Sequence, residues 1–95
     1  EMRLVVRERV IYERLPLLID DYSYSVWQGE TKIYWYDPQP HPNIPTLKPN
    51  YPHHKHISPD IKHNRVSAPH MSFNRENLSA LIAELAREQR TTVQR

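Results

Sequence analysis

The chain has 95 residues, 13 Lys+Arg against 11 Asp+Glu, six His, nine Pro, one Gly and no Cys, with a formal net charge of +2. That length allows one domain with one modest core and excludes an enzyme with a separate cofactor domain. The lack of cysteine excludes a disulfide framework and a thiolate metal site and fits a reducing cytoplasm; no apolar run approaches the ~20 residues of a bilayer span, and so small a charge does not by itself argue nucleic-acid binding.

In chain order, residues 1–37 read as strands, 38–72 as a Pro/His-rich loop, 73–90 as a helix and 91–95 as a frayed tail, all in one domain 1–95. The run from Met2 to Tyr12 is rich in β-branched residues. Alternation puts Leu4, Val6, Val10 and Tyr12 on a core face and Arg3, Arg7 and Arg9 on an exposed one. Glu8 falls on the apolar side and therefore needs a partner, a solvent opening or a functional role. The chain enters this pattern immediately after Glu1, so β-structure ahead of it is expected. Leu15, Leu17, Leu18 and Ile19 are expected to cover the sheet edge around Pro16. Residues 21–28 and 31–37 form a hairpin about Gly29-Glu30, with Gly first as a type II′ turn prefers. A two-residue turn pairs Gln28 with Thr31, Val26 with Ile33, Tyr24 with Trp35 and Tyr22 with Asp37.

Seven prolines between Pro38 and Pro59 exclude helix and disfavour a central strand. The same stretch carries Ile44, Leu47, Tyr51 and Ile57, which predicts an ordered loop over the sheet with a short strand near 52–57. Asn74 is the predicted helix cap, with Phe73 at staple spacing from Leu78. Leu78, Leu81, Ile82 and Leu85 follow i, i+3, i+4, i+7 and should dock on the sheet, leaving Glu84, Arg87 and Glu88 in solvent.

The chemistry concentrates in Pro52-His53-His54-Lys55-His56, with His41 upstream. In an extended segment His54 and His56 share one face, and His53 and Lys55 the other. Three readings are open. His54 and His56 have the spacing that lets two imidazoles converge on a metal, with His41 or Asp37 as a third ligand. Alternatively, histidines act as acid and base in RNA cleavage by the 2′-hydroxyl, with Lys55 at the phosphate and no metal. The third is a polar surface loop whose rings cap turns. The tyrosines, likewise, are either core-edge packing residues or a stacking platform beside Arg3, Arg7 and Arg9.

Tyr22-Ser23-Tyr24, then Tyr36-Asp37 followed by Pro40-His41, then Pro52-His53-His54-Lys55-His56 and a short C-terminal helix together resemble the TumE-like family of small bacterial toxins from toxin–antitoxin systems. The resemblance spans about Leu4 to Leu85. It implies a cytoplasmic toxin neutralised by a helix-turn-helix antitoxin. The combined expectation is an α+β fold, a small antiparallel sheet packed against one C-terminal helix, and a metal-independent endoribonuclease without cofactor. His53, His54, Lys55, His56, His41, Asp37 and Tyr24 are the candidate catalytic residues. Arg3, Arg7, Arg9, Tyr22 and Tyr36 are the candidate RNA contacts. RNA and the antitoxin are the expected partners, with no membrane, and a homo-oligomer is compatible with the sequence. A non-catalytic or metal-binding relative, or an RNA-binding module, is the alternative.

Overall fold

The computed structural model describes residues 1–13 and 18–93. Five strands, β1 (Met2–Ile11), β2 (Leu18–Gln28), β3 (Thr31–Asp37), β4 (His54–His56) and β5 (Arg65–Ser67), form one antiparallel sheet in the order β1-β2-β3-β4-β5. The helix α1 (Leu78–Val93) packs on one face. This is the α+β arrangement expected. β4, β5 and a 3-10 turn at Pro45–Leu47 all lie in the stretch read as loop. Leu47 is buried there, while Ile44 and Ile57 are half-buried.

Gly29 adopts φ +58° at the first turn position, and Gln28 faces Thr31. Beyond Trp27↔Lys32 the predicted register fails. A bulge pairs Val26 with Tyr34, Ser25 with Trp35 and Tyr24 with Tyr36, so Ile33 is the extra residue. Because side chains alternate with period two, this one-residue slip exchanges faces. Tyr34 and Tyr36 turn under the helix beside Tyr22, Tyr24 and Val26, whereas Trp35 turns away.

The buried face is therefore made of tyrosines, and their hydroxyls determine what α1 must present. Burying an unpartnered hydroxyl is costly. Tyr36 Oη donates to Glu84 at 2.6 and 2.7 Å, and Tyr34 Oη to Glu88 at 3.1 and 3.3 Å. Glu84, expected in solvent, is instead half-buried beside Leu81, whereas Glu88 is exposed, as expected, and accepts the Tyr34 hydroxyl from there. Leu78 and Ile82, expected to dock, are exposed. Burial of Leu81 contributes about 1.5–3 kcal/mol.

The helix also begins later than predicted. Asn74 is exposed and does not cap; Glu76 Oε2 accepts the Ser79 N–H instead. Fully buried Asn77 ties the preceding turn to the sheet: its amide donates to Tyr24 Oη and the Ser72 carbonyl, and its oxygen accepts the Ser72 N–H. Phe73 packs on Tyr22 and His53 rather than stapling the helix. Helical structure continues to Val93, past the expected frayed end.

β1 is an edge strand reached by little of the helix. Val6, Val10 and Tyr12 are exposed, contrary to the alternation-based expectation, and only Leu4 is partly covered. Glu8 finds its partner in the Tyr24 hydroxyl, which donates to it at 2.5 Å. β2 starts at Leu18, so Leu18 and Ile19 are strand residues; Leu15 and Leu17 lie outside the described residues.

Candidate active site

β4 has only three residues, and its neighbours decide where each side chain points. His54 pairs with Asp37 and Ser67, and His56 with Trp35 and Arg65, on the face away from α1. Lys55 pairs with Tyr36 and Val66 on the helix side. The helix-free face also receives Arg3, Arg7 and Arg9 from β1 and Ser25 and Trp27 from β2. Lys32, opposite Trp27, also lies on that face, and the bulge at Ile33 brings Trp35 to it.

At its centre one carboxylate meets two imidazoles. Asp37 Oδ1 lies 3.1 Å from His54 Nε2, and Oδ2 lies 3.0 Å from His56 Nε2. The two Nε2 atoms are 3.2 Å apart. Each ring turns its other nitrogen to a backbone carbonyl: His54 Nδ1 to Pro52 at 3.0 Å, His56 Nδ1 to Ile61 at 2.8 Å. The side chains of His54, His56 and Asp37 are 1%, 4% and 11% exposed. Trp35 lies flat on His56, centroids 3.7 Å apart, and His41 meets His54 edge-on at 5.1 Å. An open groove of about 720 Å³ runs beside Trp35, Asp37 and Pro38 to Arg9.

Burial disfavours charge on Asp37, but hydrogen bonds from His54 and the Gln39 N–H outweigh it and hold the carboxyl below its usual range. Burial also opposes charge on His54; there the Asp37 and Pro52 acceptors win, and the pKa rises. On His56 burial prevails and lowers it. His41 is lowered by burial and by the nearby positive charge of Arg65. Arg65 Nε is buried and has no hydrogen-bond partner among the described residues.

The candidate catalytic residues thus divide between two faces. Asp37, His54, His56 and His41 come together. Lys55 does not join them: its ammonium lies over the Tyr34 ring at 4.1 Å and 3.2 Å from Glu84 Oε1. His53, its pKa lowered by burial, is held on the helix side with Nδ1 2.7 Å from Tyr22 Oη. Tyr24 is spent between Glu8 and Asn77. The candidate RNA contacts divide in the same way. Arg3 and Arg7 share the helix-free face, and Arg9 does so paired to Asp20 at 2.7 Å. Tyr22 and Tyr36 are buried and have no face free for a base.

Sequence reasoning missed Trp27, Lys32, Trp35 and Arg65. Lys32 Nζ lies 5.4 and 4.9 Å from the Trp27 and Trp35 rings, and Arg3 lies 5.8 Å from Trp27. The chain's two tryptophans among cations were the available signal; the unbroken hairpin register hid it by assigning Trp35 to the Tyr24 side.

The family model described as Toxin TumE matches residues 1–90. The chain belongs to the TumE toxin family. No curated protein and no solved structure matches it. An antitoxin partner follows from the family in general terms. Among the described residues, no helix is long and apolar enough to cross a membrane.

Proposed function

We propose that this toxin is an endoribonuclease that binds single-stranded RNA across the helix-free face and reacts at the Asp37–His54–His56 cluster. The observation that carries the reading is the layout of that face. Trp27 and Trp35, interleaved with Arg3 and Lys32, lead to the cluster, and the unpartnered Nε of Arg65 stands beside it. Aromatic faces stack unpaired bases with little regard to sequence, while cations follow the phosphates. Arg65 is the cation suited to offset charge developing on the phosphate. Lys55 is not, because Glu84 holds it on the opposite side.

Two imidazole nitrogens 3.2 Å apart and turned onto one carboxylate leave no room for a phosphate between them. They therefore do not act as a base and an acid on opposite sides of the scissile bond; the cluster acts as one unit on one side of it. A helix-turn-helix antitoxin in the cytoplasm that covers this face is the neutralising partner in this reading.

The test is incubation of purified toxin with single-stranded RNA of mixed sequence, with Asp37→Asn as the comparison. Wild type should cleave, and Asp37→Asn should lose on the order of 10²-fold or more in rate while still binding RNA. RNA bound but left intact by wild type would return the protein to an RNA-binding module. Absence of binding would remove RNA as the target.

A further inference from the structure

We infer that Asp37, His54 and His56 hold one divalent transition-metal ion through two Nε2 atoms and the carboxylate. The three residues each offer a ligand atom within 4.8 Å of the others. A count of hydrogens shows that the cluster needs added positive charge, from protons or from a metal ion. The Pro52 and Ile61 carbonyls only accept, so His54 Nδ1 and His56 Nδ1 must both donate. A neutral ring protonated at Nδ1 presents a bare lone pair at Nε2. Both lone pairs then face an acceptor-only carboxylate, at 3.1 and 3.0 Å, and each other at 3.2 Å.

Protons can supply that charge. One added at His54 Nε2 serves Asp37 Oδ1 and His56 Nε2, but leaves His56 Nε2 against Asp37 Oδ2, acceptor against acceptor. Two added protons, the second on His56 Nε2 or on Asp37 Oδ2, satisfy both carboxylate contacts and leave a net positive charge in the buried cluster beside Arg65. Switching a tautomer moves the conflict to the Pro52 or Ile61 carbonyl. A dication among the three ligand atoms removes the conflict with the tautomers that the two carbonyls set.

The spacing agrees. Bonds of ~2.0–2.1 Å separate ligand atoms by about 3.3–3.4 Å in a tetrahedron and about 2.9 Å between octahedral neighbours. The Nε2–Nε2 distance of 3.2 Å lies between these limits, and each Nε2 has one carboxylate oxygen of Asp37 at 3.0–3.1 Å. The Nδ1-to-carbonyl bonds are the outer contacts that fix ring orientation and tautomer in metal-binding histidines. Two imidazoles and one carboxylate suit zinc, manganese, iron or cobalt rather than calcium or magnesium. Three protein ligands also leave a coordination position for water or a substrate oxygen. This departs from the metal-free site expected from sequence. The ligand geometry carries the inference by itself; only a role for the ion in polarising phosphate or water rests on the ribonuclease reading.

The experiment strips the full chain with chelator and titrates it with Zn²⁺ by calorimetry, following the histidine ring signals by NMR and RNA cleavage on the same samples. One ion per chain should bind. The Nε2 signals of His54 and His56 should shift, whereas those of exposed His63, which lies 2.9 Å from Asp60, should not. Asp37→Asn, which keeps the side-chain shape, should weaken binding by on the order of 10²-fold, and His63→Ala should bind like wild type. The NMR result needs no variant, so a misfolded substitution cannot decide the outcome. A stripped wild type that takes up no zinc, or whose shifts fall on His63 and spare His54 and His56, overturns the inference, even if RNA cleavage persists. Zinc bound at His54 and His56 without cleavage supports it and overturns the ribonuclease reading alone.

Discussion

Replacing Glu84 by alanine tests whether α1 is held by tyrosine hydroxyls rather than by an apolar stripe. Glu84 accepts the Tyr36 hydroxyl at 2.6 and 2.7 Å and lies 3.2 Å from the Lys55 ammonium. A hydrogen bond to a charged group contributes ~1.5–3 kcal/mol net, and a partly exposed ion pair about 0.5–1 more. Glu84→Ala should therefore cost about 2–4 kcal/mol, which for a domain of this size lowers Tm by roughly 10–25 °C. Glu84→Gln keeps an acceptor and should cost about half as much. In a double-mutant cycle with Tyr36→Phe, the coupling should reach about 1.5–3 kcal/mol. Burial opposes charge on Glu84, yet the Tyr36 hydroxyl and Lys55 outweigh it and hold its carboxyl below the usual range. A depressed folded-state pKa means that the stability contribution is complete above the unfolded value near ~4.3 and disappears as pH falls through the lower folded value. The difference in Tm between wild type and Glu84→Ala should accordingly shrink in acid. Thermal unfolding followed by circular dichroism reads all of this. A cycle coupling below about 0.5 kcal/mol would show that the hydroxyls are equally well served by water, and the docking argument would fail.

Asn77→Ala strips Tyr24 Oη and two backbone groups of Ser72 of a buried partner, and should lower Tm by on the order of 10–20 °C, read by the same unfolding experiment. Trp35→Ala should weaken binding of single-stranded RNA by about 1–3 kcal/mol, the value of one stacked base, in a fluorescence titration. Lys32→Ala should flatten the salt dependence of that binding by about 0.7 in log–log slope, one phosphate contact on a single strand, without changing the cleavage rate at saturating toxin.

The parts of the fold legible in the sequence are those set by local rules. Gly29 fixed the hairpin position, and alternation across 54–56 separated His54 and His56 from His53 and Lys55, as the register with Asp37, Tyr36 and Trp35 has it. What escaped was decided at a distance. The bulge at Ile33 carries no local signature, yet it moves Trp35 from the core side to the open face and Tyr34 to the helix side. Glu84 and Glu88 look like ordinary solvated helix residues until tyrosines 48 and 54 positions away supply their hydroxyls. Asp37 and His41 could be nominated beside the histidines, but the carbonyls of Pro52 and Ile61 that orient the rings belong to loop backbone, which side-chain patterns do not reveal.

Chemistry on the helix-free face can be separated from chemistry on the helix side with two adjacent residues. His56 and Lys55 point to opposite sides of the sheet. RNA cleavage rates should be measured for His56→Gln and Lys55→Met at a temperature well below both unfolding transitions. His56→Gln should lose on the order of 10²-fold or more, the size expected when a group acting on the transition state is removed, and Lys55→Met should stay within about threefold of wild type. A folded Lys55→Met that loses as much activity as His56→Gln would contradict a site on the helix-free face.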